Sequence, residues 1–376
     1  MALSSFLLQQ QLEIGRDVYV FKLGCSCDGA VLAAATSEHT ICVLDPATLR
    51  LVQSLQGHDD VVEDLSFFQH SPSCLASCSQ DGSARVWDLR AGSAASRQFA
   101  VSSREAYSCS VGHSDNVLAC AASEKVHIFD VAQGKRLSVY KESHTDVVNH
   151  VRFHPVDTTK LLSGAEDNLI VLLDTNHPRE DEAMIGVIPN DECVRSFTLI
   201  GPERNILCCA STTEDVRIYS LGKDDFGARK AEFLGLREHP ALARDESGGY
   251  LVETFYDQPS GQVLLLAGAG TDGELLLFNV TLAGPAPVAT FALPAAPGGG
   301  PCSGHGGVVR SAVCVPGGAV VTAGEDGCVC AWREGPAACE EGPADGGADR
   351  FALEPTAYGA QRAGDQRSAE ARAAPY

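Results

Sequence analysis

The residues of this chain that could act on a substrate or hold a cofactor fall in four places. Gly268, Gly270 and Gly273 in GAGTDGELLLF (268–278) spell G-x-G-x-x-G, the spacing that lays a dinucleotide pyrophosphate on the free N–H groups of a helix N-terminus. His58, a serine at 77 or 79, and Asp81 have the types of a nucleophile, its base and the acid that orients the base. Cys208-Cys209 offers thiols, and His144, His150 and His154 offer imidazoles for a metal.

The surrounding residues argue against each chemistry. After Gly273 comes Glu274-Leu275-Leu276-Leu277-Phe278-Asn279-Val280, with Gly284-Pro285 close behind, too short and too turn-bounded for the crossover helix of a dinucleotide fold. It reads as strand, turn, strand. Cys208 and Cys209 lie in the apolar run Ile206 to Ala210, without the base or cation that makes a thiolate, and are expected to be inert. His150 and His154 have no Cys or carboxylate at ligand spacing and read as core or rim residues. C-x-x-C, H-E-x-x-H, G-x-S-x-G and P-loop patterns are absent from the sequence. The expectation is a non-enzyme with no catalytic residue, no cofactor and no metal.

Charge narrows the partner. Of 376 residues, 49 are acidic and 28 basic, a formal charge of −21, so the field of the whole molecule repels nucleic acid and anionic membrane and favours a protein partner with a basic segment. The opening MALSSFLLQQQLEIG lacks a basic n-region and a long apolar stretch, and no apolar run is long enough to span a membrane. Fifteen cysteines, scattered within alternating apolar runs, suit a reducing compartment. We therefore expect a soluble monomer of the cytoplasm or nucleus.

What must position these residues is a repeat. The segments ATSEHTICVLD, SCSQDGSARVWD, AASEKVHIFD, GAEDNLIVLLD, GAGTDGELLLFN and AGEDGCVCAW each run from small residues through an acid into an alternating strand. The acids Glu38, Asp81, Glu124 and Asp167 succeed one another at intervals of 43; Asp215, Asp272 and Asp326 follow at 57 and 54. The slack is assigned to inserts such as the Ala/Pro/Gly-rich 283–304. A second landmark, Gly57-His58, Ser143-His144 and Gly304-His305, stands 23, 23 and 21 residues before its acid. With two alternating runs between the landmarks and two after, each of seven units makes a small four-stranded antiparallel sheet that must bury its faces against like neighbours. The letters leave the edges of units three, five and six open.

Unit two, GHDDVVEDLSF (57–67) with LASCSQDGSARVWDLR (75–90), and unit seven, SGHGGVVRSAVC (303–314) with VVTAGEDGCVCAW (320–332), carry a Gly-His start and a Trp-Asp or Trp end. Over roughly residues 5–334 the chain resembles the WD-repeat β-propeller family. That resemblance implies an all-β, seven-bladed propeller over 16–334, closed by an N-terminal strand within 1–15, and leaves 335–376, rich in Gly, Ala, Pro and charge, as a disordered tail. It gives His58, Asp81, Trp87, His144, Asp167, His305, Asp326 and Trp332 a structural network in place of catalysis.

The same resemblance implies a scaffold whose partner-binding face is built from the residues before the turn acids, Gln80, Glu166, Glu214, Thr271 and Glu325, and from those opening the first strands, Glu63, Asn149, Arg195 and Arg310. Two further roles follow from it. Trp87-Asp88-Leu89-Arg90, with Asp81, resembles the W-D-x-R box by which some propellers dock on a cullin-RING ligase adaptor as substrate receptors. An acidic propeller could also serve as an assembly factor escorting a basic protein into a ribonucleoprotein or chromatin complex. The acids of Arg179-Glu180-Asp181-Glu182 read as a solvated loop.

Overall fold

Alternation of apolar and polar residues every second position, broken by Asp-Gly or small-residue turns, dictates strands and hairpins, and the computed structural model consists almost wholly of them. It describes residues 3–101, 105–112, 114–243, 248–257, 261–270, 273–281, 284–292 and 304–335. Five sheets have four strands each, antiparallel and in chain order; an eight-stranded sheet holds the other two units. Together they make seven blades of a β-propeller.

That eighth-strand fusion is the closure of the ring. The third strand of blade seven, Cys328–Glu334, has no outer strand of its own, and Ser4–Glu13 pairs with it antiparallel, from Phe6 opposite Glu334 to Glu13 opposite Cys328. The first residues of the same strand run parallel to the outer strand of blade six, Gly284–Ala292, with Phe6 opposite Phe291. Phe6 stacks on Phe291 at 4.9 Å, and Phe291 meets Trp332 edge-on at 5.4 Å. The first and last strands of the ring are thus held by hydrogen bonds and by one aromatic cluster.

Two sequence expectations are corrected here. The Ala/Pro/Gly-rich segment is not wholly an insert: Gly284–Ala292 is the outer strand of blade six, its GPAPVATFA pairing with Glu274–Thr281. Prolines mask a strand in sequence, but they are compatible with an outermost strand, which has a ladder to satisfy on fewer sides. Glu180 is not solvated loop either. A single helical turn, Glu180–Ala183, brings its carboxylate onto the backbone N–H groups of Lys141, Glu142 and Ser143 at 2.6–2.9 Å, because three successive free donors form a concave site for an anion.

The G-x-G-x-x-G spacing resolves as a hairpin between Gln262–Ala269 and Glu274–Thr281. Gly273, at φ +74°, lies against His305 of blade seven, where a Cβ would stand 2.5 Å from that residue's backbone. Close packing between blades, not phosphate, requires this glycine. Of the other chemical candidates, Cys208 and Cys209 are 1% exposed, and burial raises both thiols, that of Cys209 to about 12.

Candidate protein interface at the channel mouth

One irregularity recurs in every blade. The inner strand slips register against the second strand after its first paired residue: between Val20 and Lys22, Val62 and Asp64, Ala106 and Ser108, Val148 and His150, Val194 and Ser196, Leu251 and Glu253, and Val309 and Ser311. A bulge leaves its extra residue unpaired and turns it out of the ladder. The extra residues are Phe21, Glu63, Tyr107, Asn149, Arg195, Val252 and Arg310, and all of them line one polar cavity of about 740 Å³ along the propeller axis.

Glu63, Asn149, Arg195 and Arg310 were named by the sequence as openers of first strands. The structure sets each against the turn residue of its own blade. Gln80 donates to Glu63 at 2.5 Å and Asn149 to Glu166 at 3.4 Å, Arg195 pairs with Glu214 at 3.1 Å, and Arg310 pairs with Glu325. Thr271 lies outside the described residues. Glu214 is also a brace: it accepts the Leu251 N–H at 2.8 Å while Arg195 donates to the Leu251 carbonyl at 3.0 Å, tying blade five to blade six. Phe21, Tyr107 and Val252 were missed, because units one, three and six lack the Gly-His landmark that would have marked the position.

Below the bulges the lumen is charged. Asp64 accepts from Arg152 at 2.8 and 3.3 Å, from the Ser108 hydroxyl at 2.8 Å and from the Cys109 N–H at 3.1 Å, with Lys22 at 3.6 Å. Burial opposes its charge, yet Arg152 and Lys22 hold its carboxyl well below the usual range. Burial raises Glu253, and burial keeps His150, set edge-on to Phe197 at 4.7 Å, well below the ordinary histidine value. His154 instead caps a loop, accepting the Asp157 N–H at 2.9 Å. Among the described residues no three His, Cys, Asp or Glu side chains converge on a metal position.

The apparent triad is a buried wire. Trp87 Nε1 donates to Ser77 Oγ at 2.8 Å, Ser77 lies 2.7 Å from His58 Nε2, and His58 Nδ1 is 2.8 Å from Asp81. One arrangement satisfies every member: Trp N–H to Ser, Ser O–H to His, His N–H to Asp. Ser77 is 0% exposed, so no substrate reaches its hydroxyl. Blade seven repeats the wire through Trp332, Thr322, His305 and Asp326, and blade four through Ser163, His144 and Asp167, with Leu173 in the aromatic position. Burial lowers His58 and His144, while hydrogen bonds from Ser83, His58 and the Asp59 N–H overcome burial and bring Asp81 down to about 2.

This geometry is matched by comparison with known proteins. A model of the "WD domain, G-beta repeat" fits residues 49–88 and 134–174, the two stretches ending in Asp88 and Asp174. The chain is 32% identical over 337 residues to the WD repeat-containing protein GTS1 of Arabidopsis thaliana, covering 86% of this chain and 83% of that one. It belongs to the WD-repeat family. The WD repeat-containing protein 89 homolog of Dictyostelium discoideum is 26% identical over 68% of this chain and 69% of its own length. The GATOR2 complex protein Wdr59 of Drosophila melanogaster is 29% identical over 160 residues, 41% of this chain and 16% of that protein.

Two features distinguish the surface of this WD-repeat propeller. Arg90 of Trp87-Asp88-Leu89-Arg90 is 72% exposed and folded back on Asp88, with both nitrogens at 2.9 Å from the carboxylate. On the face that carries the bulges, blades two to four present the exposed carboxylates Asp59, Glu105, Asp146 and Glu166. The cations there are already paired, Arg85 with Asp81 at 3.5 Å and Lys125 with Glu124 at 2.8 Å. Glu105, Tyr107, Glu124 and Asp146 border one groove on that arc.

Proposed function

We propose that this WD-repeat protein is a non-catalytic interaction scaffold that holds a basic segment of a partner protein across the carboxylate arc of blades two to four. The observation that carries the reading is the asymmetry of the face. Around blades five and seven Glu214 and Glu325 are neutralised by Arg195 and Arg310, whereas Glu105 and Asp146 meet no basic side chain among the described residues. A lysine or arginine arriving from outside gains charge-assisted hydrogen bonds there without displacing an internal cation. The net charge of −21 adds long-range attraction for the same partner. A relative described as a component of a GATOR2 complex supports work inside a multiprotein assembly.

The test is co-purification from cells, read by mass spectrometry, of the tagged chain and of a Glu105→Gln, Asp146→Asn, Glu166→Gln variant. The proposal expects a stoichiometric basic partner with the wild type and its loss with the variant, both proteins melting alike. Equal recovery of the same partners by both removes this arc as the site.

A further inference from the structure

The outer strands of the blades expose unpaired N–H and C=O groups, and most of these edges are protected. Blades two, three and five place Arg97, Lys135 with Arg136, and Arg229 with Lys230 on their outer strands, Arg97–Ala100, Lys135–Tyr140 and Arg229–Phe233. Positive charges on an edge oppose the approach of a second strand. Blades six and seven cover each other through the N-terminal strand. The outer strand of blade four, Met184–Pro189, has the sequence MIGVIP and no charge at all.

That edge is also apolar and rigid. Met184, Ile185 and Val187 are 39, 49 and 40% exposed. The strand is pinned from one face: Phe226 of blade five packs on Gly186 so closely that a Cβ there would stand 2.5 Å from the ring, and Gly227 sits over Ile188. Its ladder to Leu169–Asp174 runs from Leu169 opposite Pro189 to Leu173 opposite Met184. The strand is therefore preorganised, with one side hydrogen-bonded and the other open. Blade one has a comparable edge at Leu51–Leu55, but Arg50 precedes it. Around Met184–Pro189 the flanks are acidic instead: Glu180, Asp181 and Glu182 against the single cation Arg179 on one side, Asp191 and Glu192 on the other.

We infer that the outer edge of blade four, Met184–Pro189, is a second docking surface, which takes an extended partner segment as a fifth strand, with alternate apolar residues over Ile185 and Val187 and lysine or arginine at its ends. Main-chain hydrogen bonds supply the affinity of such an addition, and side-chain alternation and terminal charge supply its selectivity. The surface is separate from the carboxylate arc, so either can fail without the other.

The probe is a fluorescein-labelled peptide of alternating valine and threonine flanked by lysine and arginine, titrated with the full chain and read by anisotropy. Saturable binding is expected, weakened about tenfold or more by Ile185→Lys or by Val187→Lys, both exposed positions that leave the melt unchanged. The same peptide with N-methylated backbone amides on one edge is expected to lose binding while keeping its side chains. The inference is overturned by any of four results: no saturable binding to the wild type, equal binding to the lysine variants, equal binding of the N-methylated peptide, or self-association of the wild type that Val187→Lys abolishes, which would make a second copy the occupant.

Discussion

Arg152 of blade four reaches past blade three to Asp64 of blade two, bonding it at 2.8 and 3.3 Å although 88 residues separate them in the chain. The pair is what fixes the upper lumen, since Arg152 also donates to the Cys109 carbonyl at 2.9 Å and Asp64 also accepts from blade three. Removing one partner leaves the other charge desolvated. Arg152→Met is expected to destabilise by about 2–4 kcal/mol, and Asp64→Asn combined with it by clearly less than the sum of the two. Urea melts of the four proteins check this; additive losses would mean that the two residues act independently.

The three buried wires predict an order of costs. Ser77→Ala strands both His58 and Trp87, and Thr322→Val strands both His305 and Trp332, whereas Ser163→Ala strands only His144 because Leu173 has nothing to donate. Each orphaned buried polar atom costs about 1–3 kcal/mol, so the first two substitutions should exceed the third by about that amount. Thermal melts giving Ser163→Ala the largest loss would contradict the assignment of the wires as the stabilising element.

Closure of the ring rests on Ser4–Glu13. Deleting residues 1–15 exposes the unpaired strand Cys328–Glu334 and removes Phe6 and Leu8 from a core that includes Leu277, Ala289 and Trp332. Two large buried side chains and a strand ladder amount to about 5 kcal/mol or more, and a fall in Tm on the order of 10 °C is expected. An unchanged melt would show that blade seven does not need this strand.

The legibility of the fold follows from where the landmarks survive. Blades two, four and seven keep a histidine four residues before the first paired residue of the inner strand, and there the sequence finds the wire, the bulge and the turn acid together. Blade five hides the same arrangement behind other letters: Asn190 stands four residues before Val194, and Tyr219 reaches it with its hydroxyl at 2.9 Å. Chemistry of equal shape is conserved there without identity, which no spacing search detects. The bulge residues Phe21, Tyr107 and Val252 escape for a related reason: a slip of register is a property of two strands together and leaves no mark on either alone. What the sequence places but does not resolve is the pairing of Glu214 and Glu325 with arginines, since charges near each other in a face can be partners or rivals.

Arg90 separates stability from recognition. Its pairing with Asp88 is exposed to solvent, and exposed ion pairs contribute little, so Arg90→Ala should change stability by less than about 0.5 kcal/mol. Mass spectrometry of proteins recovered with wild type and variant then reads the ligase-receptor role directly: cullin-ligase adaptor peptides present with the first and missing from the second would support it. Their absence from both would leave Trp87-Asp88-Leu89-Arg90 as a well-formed repeat end.

His127 makes the propeller acid-sensitive. It sits on the third strand of blade three, opposite Cys120 and Val139 and stacked along Phe129, and neither ring nitrogen has a hydrogen-bond partner. Burial, with Arg136 and Lys125 nearby, pushes its pKa down to about 4. The unfolded chain takes up a proton near the ordinary value of about 6.5, which the folded chain refuses until about 4. The neutral ring therefore contributes full stability above the unfolded value, and that contribution is lost progressively as pH falls towards the folded one. His58 and His144, lowered in the same direction, add to the slope, whereas Asp81 acts further down, its contribution present above about 3.9 and lost towards about 2. His127→Leu should flatten the loss between about pH 6.5 and 4 by on the order of 1–3 kcal/mol, measured as urea midpoints across that range. A variant as steep as the wild type would assign the acid sensitivity to the His58 and His144 wires instead.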